Sequence, residues 1–217
     1  MRLRYPHCRV LILFVASLAI SAPGQFISVD PDNYPDRTIL NRVIPEVSLI
    51  TAGTDNLPVP PVSFNITATD DSQHLTSTGV RVFGHANIPF LSDIRRLRMD
   101  FSGLVSSLSI DFIGSGFTQL AERGHLEAYD LDNTLVAAFV TEIPGAGVVA
   151  PMSISRPLAD IAWAVAWSEG LTYGRLDNLV FSSPVLVPEP SVQALLTAGF
   201  CVLGLGYWVG RTRRRND

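Results

Sequence analysis

The chain has 217 residues, a formal net charge of −4 and 47% hydrophobic residues against 17% charged, a length that makes one ordinary domain with room for a second small one. All sixteen basic residues are arginine, and residues 25–187 hold nine of them against eighteen acids, a net of −9 that excludes a basic nucleic-acid-binding surface. Both cysteines, Cys8 and Cys201, lie outside that stretch, which excludes a disulfide framework, a thiolate zinc site or a cysteine nucleophile within it.

At the N-terminus Arg2, Arg4 and Arg9 lead into an apolar run, Val10 to Ile20, followed by small residues. This order predicts a secretory signal peptide over residues 1–24, cleaved after Ala19 or Gly24. The run is too short to span a bilayer, which needs about 20 apolar residues.

Residues 25–187 read as a secreted domain. Its first part is rich in turn formers, VDPDNYPD at Val29 to Asp36 and LPVPP at Leu57 to Pro61. Short alternating segments follow. Val80 and Val82 sit in GVRVFG; Leu97, Met99 and Phe101 alternate with Arg96, Arg98 and Asp100; Leu108, Ile110 and Phe112 alternate with Ser107, Ser109 and Asp111. A period of two predicts half-buried strands. His125 to Ile143 reads as a hairpin turning at Asp130 to Asn133, and MSISR as a short strand. In DIAWAVAW the bulky Ile161, Trp163, Val165 and Trp167 alternate with alanines, predicting a strand buried on both faces with both tryptophans in the core. RLDNLVF, Arg175 to Phe181, closes an all-β, antiparallel, jelly-roll-like β-sandwich.

No catalytic constellation stands out in this domain. His74, His85 and His125 fit no zinc spacing and read as surface or loop residues, no G-x-S-x-G elbow occurs, and Glu122 and Glu127 read as solvated. The chain is therefore expected to be non-enzymatic. Asp130, Asp132 and Asn133, joined by Asp177 and Asn178 if the last strand runs alongside, offer oxygens for calcium. That ion takes about six to eight ligands, and the same turn carboxylates can instead bond their own backbone. Tyr129 and Tyr173, beside turns, are the candidates for sugar contact through exposed rings.

The tail has three parts: Pro188-Glu189-Pro190, a nineteen-residue apolar run from Val192 to Gly210, and a basic tip of Arg211, Arg213, Arg214 and Arg215. At about 1.5 Å per residue the run matches the hydrocarbon thickness as a transmembrane helix, and the arginines place its end on the cytoplasmic side. The order of proline-flanked acid, helix and arginine cluster resembles the PEP-CTERM sorting signal of Gram-negative bacteria, over residues 188–217. That resemblance implies an exosortase as partner, inner-membrane anchoring towards the periplasm before processing, and then a place at the cell surface or in the extracellular matrix. The stretch from Met99 to Phe181 resembles the extracellular sandwich domains found ahead of such tails, and LDNLVF is similar to the last strand of jelly-roll carbohydrate-binding modules, which implies a structural calcium ion. The expected function is a biofilm or matrix component, structural or adhesive. The alternatives are a carbohydrate-binding module on extracellular polysaccharide and, third, a secreted hydrolase.

Overall fold

The computed structural model describes residues 25–59, 65–116, 122–170 and 172–185. The expected signal peptide at 1–24, Pro188 to Pro190, the apolar run 192–210 and the arginine tip lie outside the described residues. Among the described residues no helix is long and apolar enough to cross a membrane.

Eleven strands are described: β1 (Phe26–Val29), β2 (Val47–Ala52), β3 (Ile66–Asp70), β4 (Arg81–His85), β5 (Arg96–Val105), β6 (Ser107–Ile113), β7 (Gly124–Tyr129), β8 (Leu135–Val140), β9 (Val149–Ser155), β10 (Ile161–Ser168) and β11 (Arg175–Ser182). They form two sheets with antiparallel pairing throughout. Sheet I has the order β3-β4-β11-β6-β9 with β1 alongside β11, and sheet II the order β2-β5-β10-β7-β8. From β5 onward the chain crosses repeatedly between sheets, so each sheet interleaves distant segments. The result is the expected β-sandwich.

The period-two residues meet between the sheets. Sheet I contributes Ile66, Phe83, Leu108, Ile110, Phe112, Met152, Leu176, Leu179 and Phe181, and sheet II contributes Leu49, Leu97, Met99, Leu126, Ala164 and Ala166. Each such large side chain, once buried, contributes roughly 1.5–3 kcal/mol. β11 keeps Leu176 and Leu179 on one face although they are three apart. Asn178 takes φ +48° and the register with β6 shifts between Asp177 and Val180, so one residue is absorbed in a bulge.

The strand expected at Ile161 to Trp167 is present and buried on both faces, with both tryptophans buried as expected, but they lie in a small cluster apart from the main core. A register shift between Ile161 and Trp163 leaves Ile161 in the core with Ala164 and Ala166, while Trp163, Val165 and Trp167 form a separate cluster with Tyr129. That cluster covers the outer face of sheet II. Strand β2 lies within the stretch that reads as turn-rich, with β1 just before it and β3 just after.

Candidate functional site

Three loops meet at one end of the sandwich and form a cleft. The first follows β3. Asp71 ends that strand's edge and folds the chain into a turn, its carboxylate accepting from the Gln73 amide at 3.2 Å and the Leu75 amide at 2.9 Å. The second joins β4 to β5, with Ala86 and Asn87 at φ +46° and +66° in its tight turn, and carries Pro89 and Phe90. The third joins β10 to β11 and carries Thr172 and Tyr173. Gly174 is required there, since a Cβ would stand 2.4 Å from the Phe112 ring.

Arg175, first residue of β11, ties these loops together. Its Nε and Nη2 donate to the two carboxylate oxygens of Asp71, each at 3.2 Å, Nη2 also donates to Gln73 Oε1 at 3.0 Å, and Nη1 donates to the Tyr173 carbonyl. The two side chains are 4% and 1% exposed. Burial pushes the Asp71 carboxyl up, but Arg175 and the Gln73 and Leu75 amides outweigh it and hold its pKa below the ordinary 3.8.

Above this floor stand two rings, Phe90 and Tyr173, edge to face with centroids 4.8 Å apart. Tyr173 is 40% exposed. The pair divides the cleft into two lobes. One, of about 340 Å³, is lined by Asp71, Ser72, Gln73, Pro89 and Arg175 beside the rings. The other, of about 290 Å³, is lined by His85, Ser92, Ile94, Arg95 and Thr172 beside the same rings. His85 is buried, contrary to the surface position read from the sequence. Burial first, and then the Arg95 charge, push its pKa down to about 4, so its ring is neutral at pH 7.

Tyr129, the other candidate, is elsewhere. It lies opposite Trp163 near the start of β10, whereas Tyr173 follows the end of that strand, so the structure does not bring the two tyrosines together. Tyr129 stacks on Trp163 at 3.9 Å and 4°, and the Arg98 guanidinium lies 4.0 Å from the same indole's centre. Trp167 is enclosed likewise, by His125 at 4.9 Å and by Arg96 at 4.0 Å. Both indoles are therefore covered on their faces and only 8% and 6% exposed. Asn56, at φ +62° in the turn after β2, closes this surface: it donates to the Tyr129 hydroxyl at 3.0 Å and accepts from Arg96 at its side chain and from Arg98 at its carbonyl. Burial, followed by the hydrogen bond and charge of Glu127, raises the Tyr129 pKa to about 12. The two indoles therefore offer no free face to a sugar, and Tyr129 has one face on Trp163.

The five candidate calcium ligands do not form one set. Asp130 accepts from the Asp132 and Thr134 amides at 2.9 Å each, so it closes its own hairpin, and Asn133 accepts from the Trp163 indole at 3.1 Å. Asp177 stands in sheet I, where it gathers with Asp30 and Asp32 instead; their carboxylate oxygens lie within 4.8 Å of one another. Asn178 donates to Asp111 at 3.2 Å. The Thr78 hydroxyl is 3.1–3.3 Å from all three gathered carboxylates and has one hydrogen to give. Asp177 is fully buried, and burial raises its pKa despite donors at Ser77, Thr78 and Asn178. This donor set fits a hard divalent cation, which prefers carboxylate oxygens. Glu122, read as solvated, is buried and accepts from the amide and hydroxyl of Ser115.

No family model and no curated protein matches the chain. Among solved structures it is similar to the K2 cleaved adhesin domain of Lys-gingipain, with a TM-score of 0.44 and 12% identity over 72% of this chain and 99% of that one. It is also similar to the family 62 carbohydrate-binding module of Clostridium thermocellum Xyl5A, with a TM-score of 0.34 and 18% identity over 69% and 99%. A third likeness is to Clostridium thermocellum endo-1,4-β-D-xylanase 10B, solved with xylohexaose, with a TM-score of 0.39 and 12% identity over 71% of this chain and 29% of that one.

The buried pair gives a direct expectation for stability. Arg175→Gln leaves the Asp71 charge buried without its partner and is expected to cost about 3–5 kcal/mol in urea unfolding, whereas replacing both residues by apolar ones of similar volume costs far less. The acid profile follows from the shifted groups. A folded-state His85 pKa of about 4 against 6.5 unfolded contributes stability that is complete above pH 6.5 and is lost as pH falls towards 4. Asp71, held below 3.8, adds a further loss below that value, while Asp177, raised above 3.8, acts in the opposite direction. His85→Gln is expected to flatten the urea midpoint between pH 6.5 and 4; an unchanged slope would show that His85 does not titrate as its burial requires.

Proposed function

We propose that this chain is an exported protein of the cell surface or matrix whose sandwich binds extracellular polysaccharide in the Phe90–Tyr173 cleft. One observation carries the reading. An exposed ring stands over a fixed floor of planar polar groups, Arg175, Asp71 and Gln73, in a concavity of the size that takes a small ligand. Sugars present apolar C–H faces that pack on rings and hydroxyls that need paired donors and acceptors. The floor is immobilised by its own ion pair, so little side-chain entropy remains to be lost on binding.

Binding rather than hydrolysis is the supported activity. Glycoside hydrolysis ordinarily uses two carboxyl groups across the scissile bond, and Asp71, the one carboxylate among the described lining residues, has both oxygens engaged by Arg175. A calcium ion, as the resemblance of the last strand implies, would be held by Asp30, Asp32 and Asp177, and would neutralise a buried carboxylate rather than take part in binding.

Delivery rests on the two ends of the chain. The signal peptide carries the domain across the inner membrane, the apolar run 192–210 holds it there facing the periplasm, and an exosortase reads Pro188-Glu189-Pro190. The processed domain then acts as an adhesive or structural component that holds matrix polysaccharide.

Two outcomes test these readings separately. On a glycan array, Tyr173→Ala is expected to weaken the strongest signals about tenfold, about 1.4 kcal/mol, while Tyr129→Ala leaves them in place; silence of the unaltered chain across neutral and acidic glycans rejects the binding role. In the native host, Glu189→Ala is expected to leave the tail attached, read by mass spectrometry of the mature C-terminus. Normal maturation of that variant rejects exosortase sorting.

A further inference from the structure

A strand at the end of a sheet leaves a row of N–H and C=O groups that other strands can pair with, and folds usually cover or blunt it. The outer side of β3 is taken by residues 37–40: the Arg37 and Leu40 amides donate to the Ala68 and Ile66 carbonyls, and the Ala68 amide donates to the Thr38 carbonyl. On β2 the Leu49 amide donates to the Asn41 carbonyl, and the Val59 amide donates to the Thr51 carbonyl. In β9 the Arg156 amide donates to the Ser106 carbonyl, so alternation turns Met152 and Ile154 to β6 and Pro151 outward, where it has no N–H to offer.

β8 has no such device. The Thr141 amide donates to the Gly124 carbonyl, and the register pairs Phe139 with Leu126 and Ala137 with Ala128. Alternation therefore turns the backbone groups of Phe139 and Ala137 to β7, and those of Ala138 and Val140 to the open side. Val136 faces that side too, and its carbonyl accepts from Arg156 Nη1 at 3.0 Å. Among the described residues no backbone bond reaches Ala138 or Val140 there. The strand reads LVAAFV, without charge, proline or glycine. Leu135 and Val140 on it, Ile143 just beyond it and Val149 on the adjacent β9 are all exposed.

The open groups define their partner as an extended strand, which presents N–H and C=O at the same spacing. A second β8 meets that need. A two-fold axis at Phe139 sets Ala138 of one copy opposite Val140 of the other, each exchanging its N–H and C=O, and leaves the Val136 carbonyl to Arg156. Phe139, partly buried against the core, meets its counterpart at the axis. Residues 25–187 hold eighteen acids against nine arginines, so copies approaching at random repel, whereas β8 sets no charge against its own image. We propose that this chain forms a two-fold dimer, joined edge to edge at β8, with sheet II continuous across the axis. The inference is independent of the saccharide reading and of the two ends of the chain.

The test is sedimentation equilibrium of the full-length chain in a density-matched non-ionic detergent, with hydrogen exchange read at the same concentrations. A monomer–dimer equilibrium is expected, in which exchange in residues 136–141 slows as the dimer fills. Val140→Lys, which brings like charges together near the axis, is expected to weaken association about tenfold or more. Ala138→Pro, which removes an amide that β7 does not use, is expected to weaken it as well. A chain that stays monomeric overturns the inference. A dimer that leaves exchange in 136–141 unchanged, or that both variants leave intact, is joined elsewhere and overturns it too. Exchange in 136–141 that is slow already in the monomer shows the edge covered within the chain, and also overturns it.

Discussion

A buried guanidinium–carboxylate pair, Arg175 with Asp71, holds one end of this sandwich together. The partners are 104 residues apart in sequence and lie at the start of one strand and just past the end of another. Through Gln73 and the Tyr173 carbonyl the same guanidinium fixes two loops whose own backbones make few ladder bonds. Taking two charges out of water costs several kcal/mol each, and bidentate geometry with additional hydrogen bonds is the condition under which that cost is offset. The pair therefore defines a geometry more than it adds stability. What it defines is a rigid polar floor under two aromatic rings.

The second aromatic surface shows why a count of rings is a poor guide to sugar binding. Sheet II sets residues abreast across all five strands: Ile50, Arg98, Val165, Glu127 and Ala138 form one such row. With arginines on β5 and aromatic residues on β7, each tryptophan of the central strand finds a cation on one side and a ring on the other. Cation–π and stacking contacts of this kind are worth roughly 0.5–1.5 kcal/mol each. They explain how two indoles can be nearly buried on an outer face without a core above them. The same contacts use up the faces of both indoles, whereas Tyr173 in the cleft is 40% exposed.

Much of the fold was legible where alternation was strict. Strands β5, β6 and β7 follow it, because each has one face on the core and one outside, and the Asp130–Asn133 turn closes its own backbone bonds. β3 was hidden because Ile66, Thr67, Ala68 and Thr69 are all buried and show no alternation. The tryptophan strand shows a different limit: period two gives which residues share a face but not which face is inside, and the shift after Ile161 breaks even that. Tyr173 could be picked out as a turn-side ring. Its partners could not, since Asp71 and Phe90 come from two separate loops and Arg175 from the start of β11, and only the crossing of strands between sheets unites them. Asp177 was recognisable as a ligand-like residue, yet its neighbours Asp30 and Asp32 come from the far end of the chain.

Hydrogen exchange of the full-length chain with and without the polysaccharide that gives the strongest glycan-array signal tests the central claim most directly, because it locates the ligand without altering a residue. The account predicts slowed exchange in residues 71–75, 89–95 and 172–175, the three segments that the Arg175–Asp71 pair and the two rings bring together, with the outer rows of sheet II unchanged. Slowed exchange across β5, β10 and β7 with none in those three segments would contradict it.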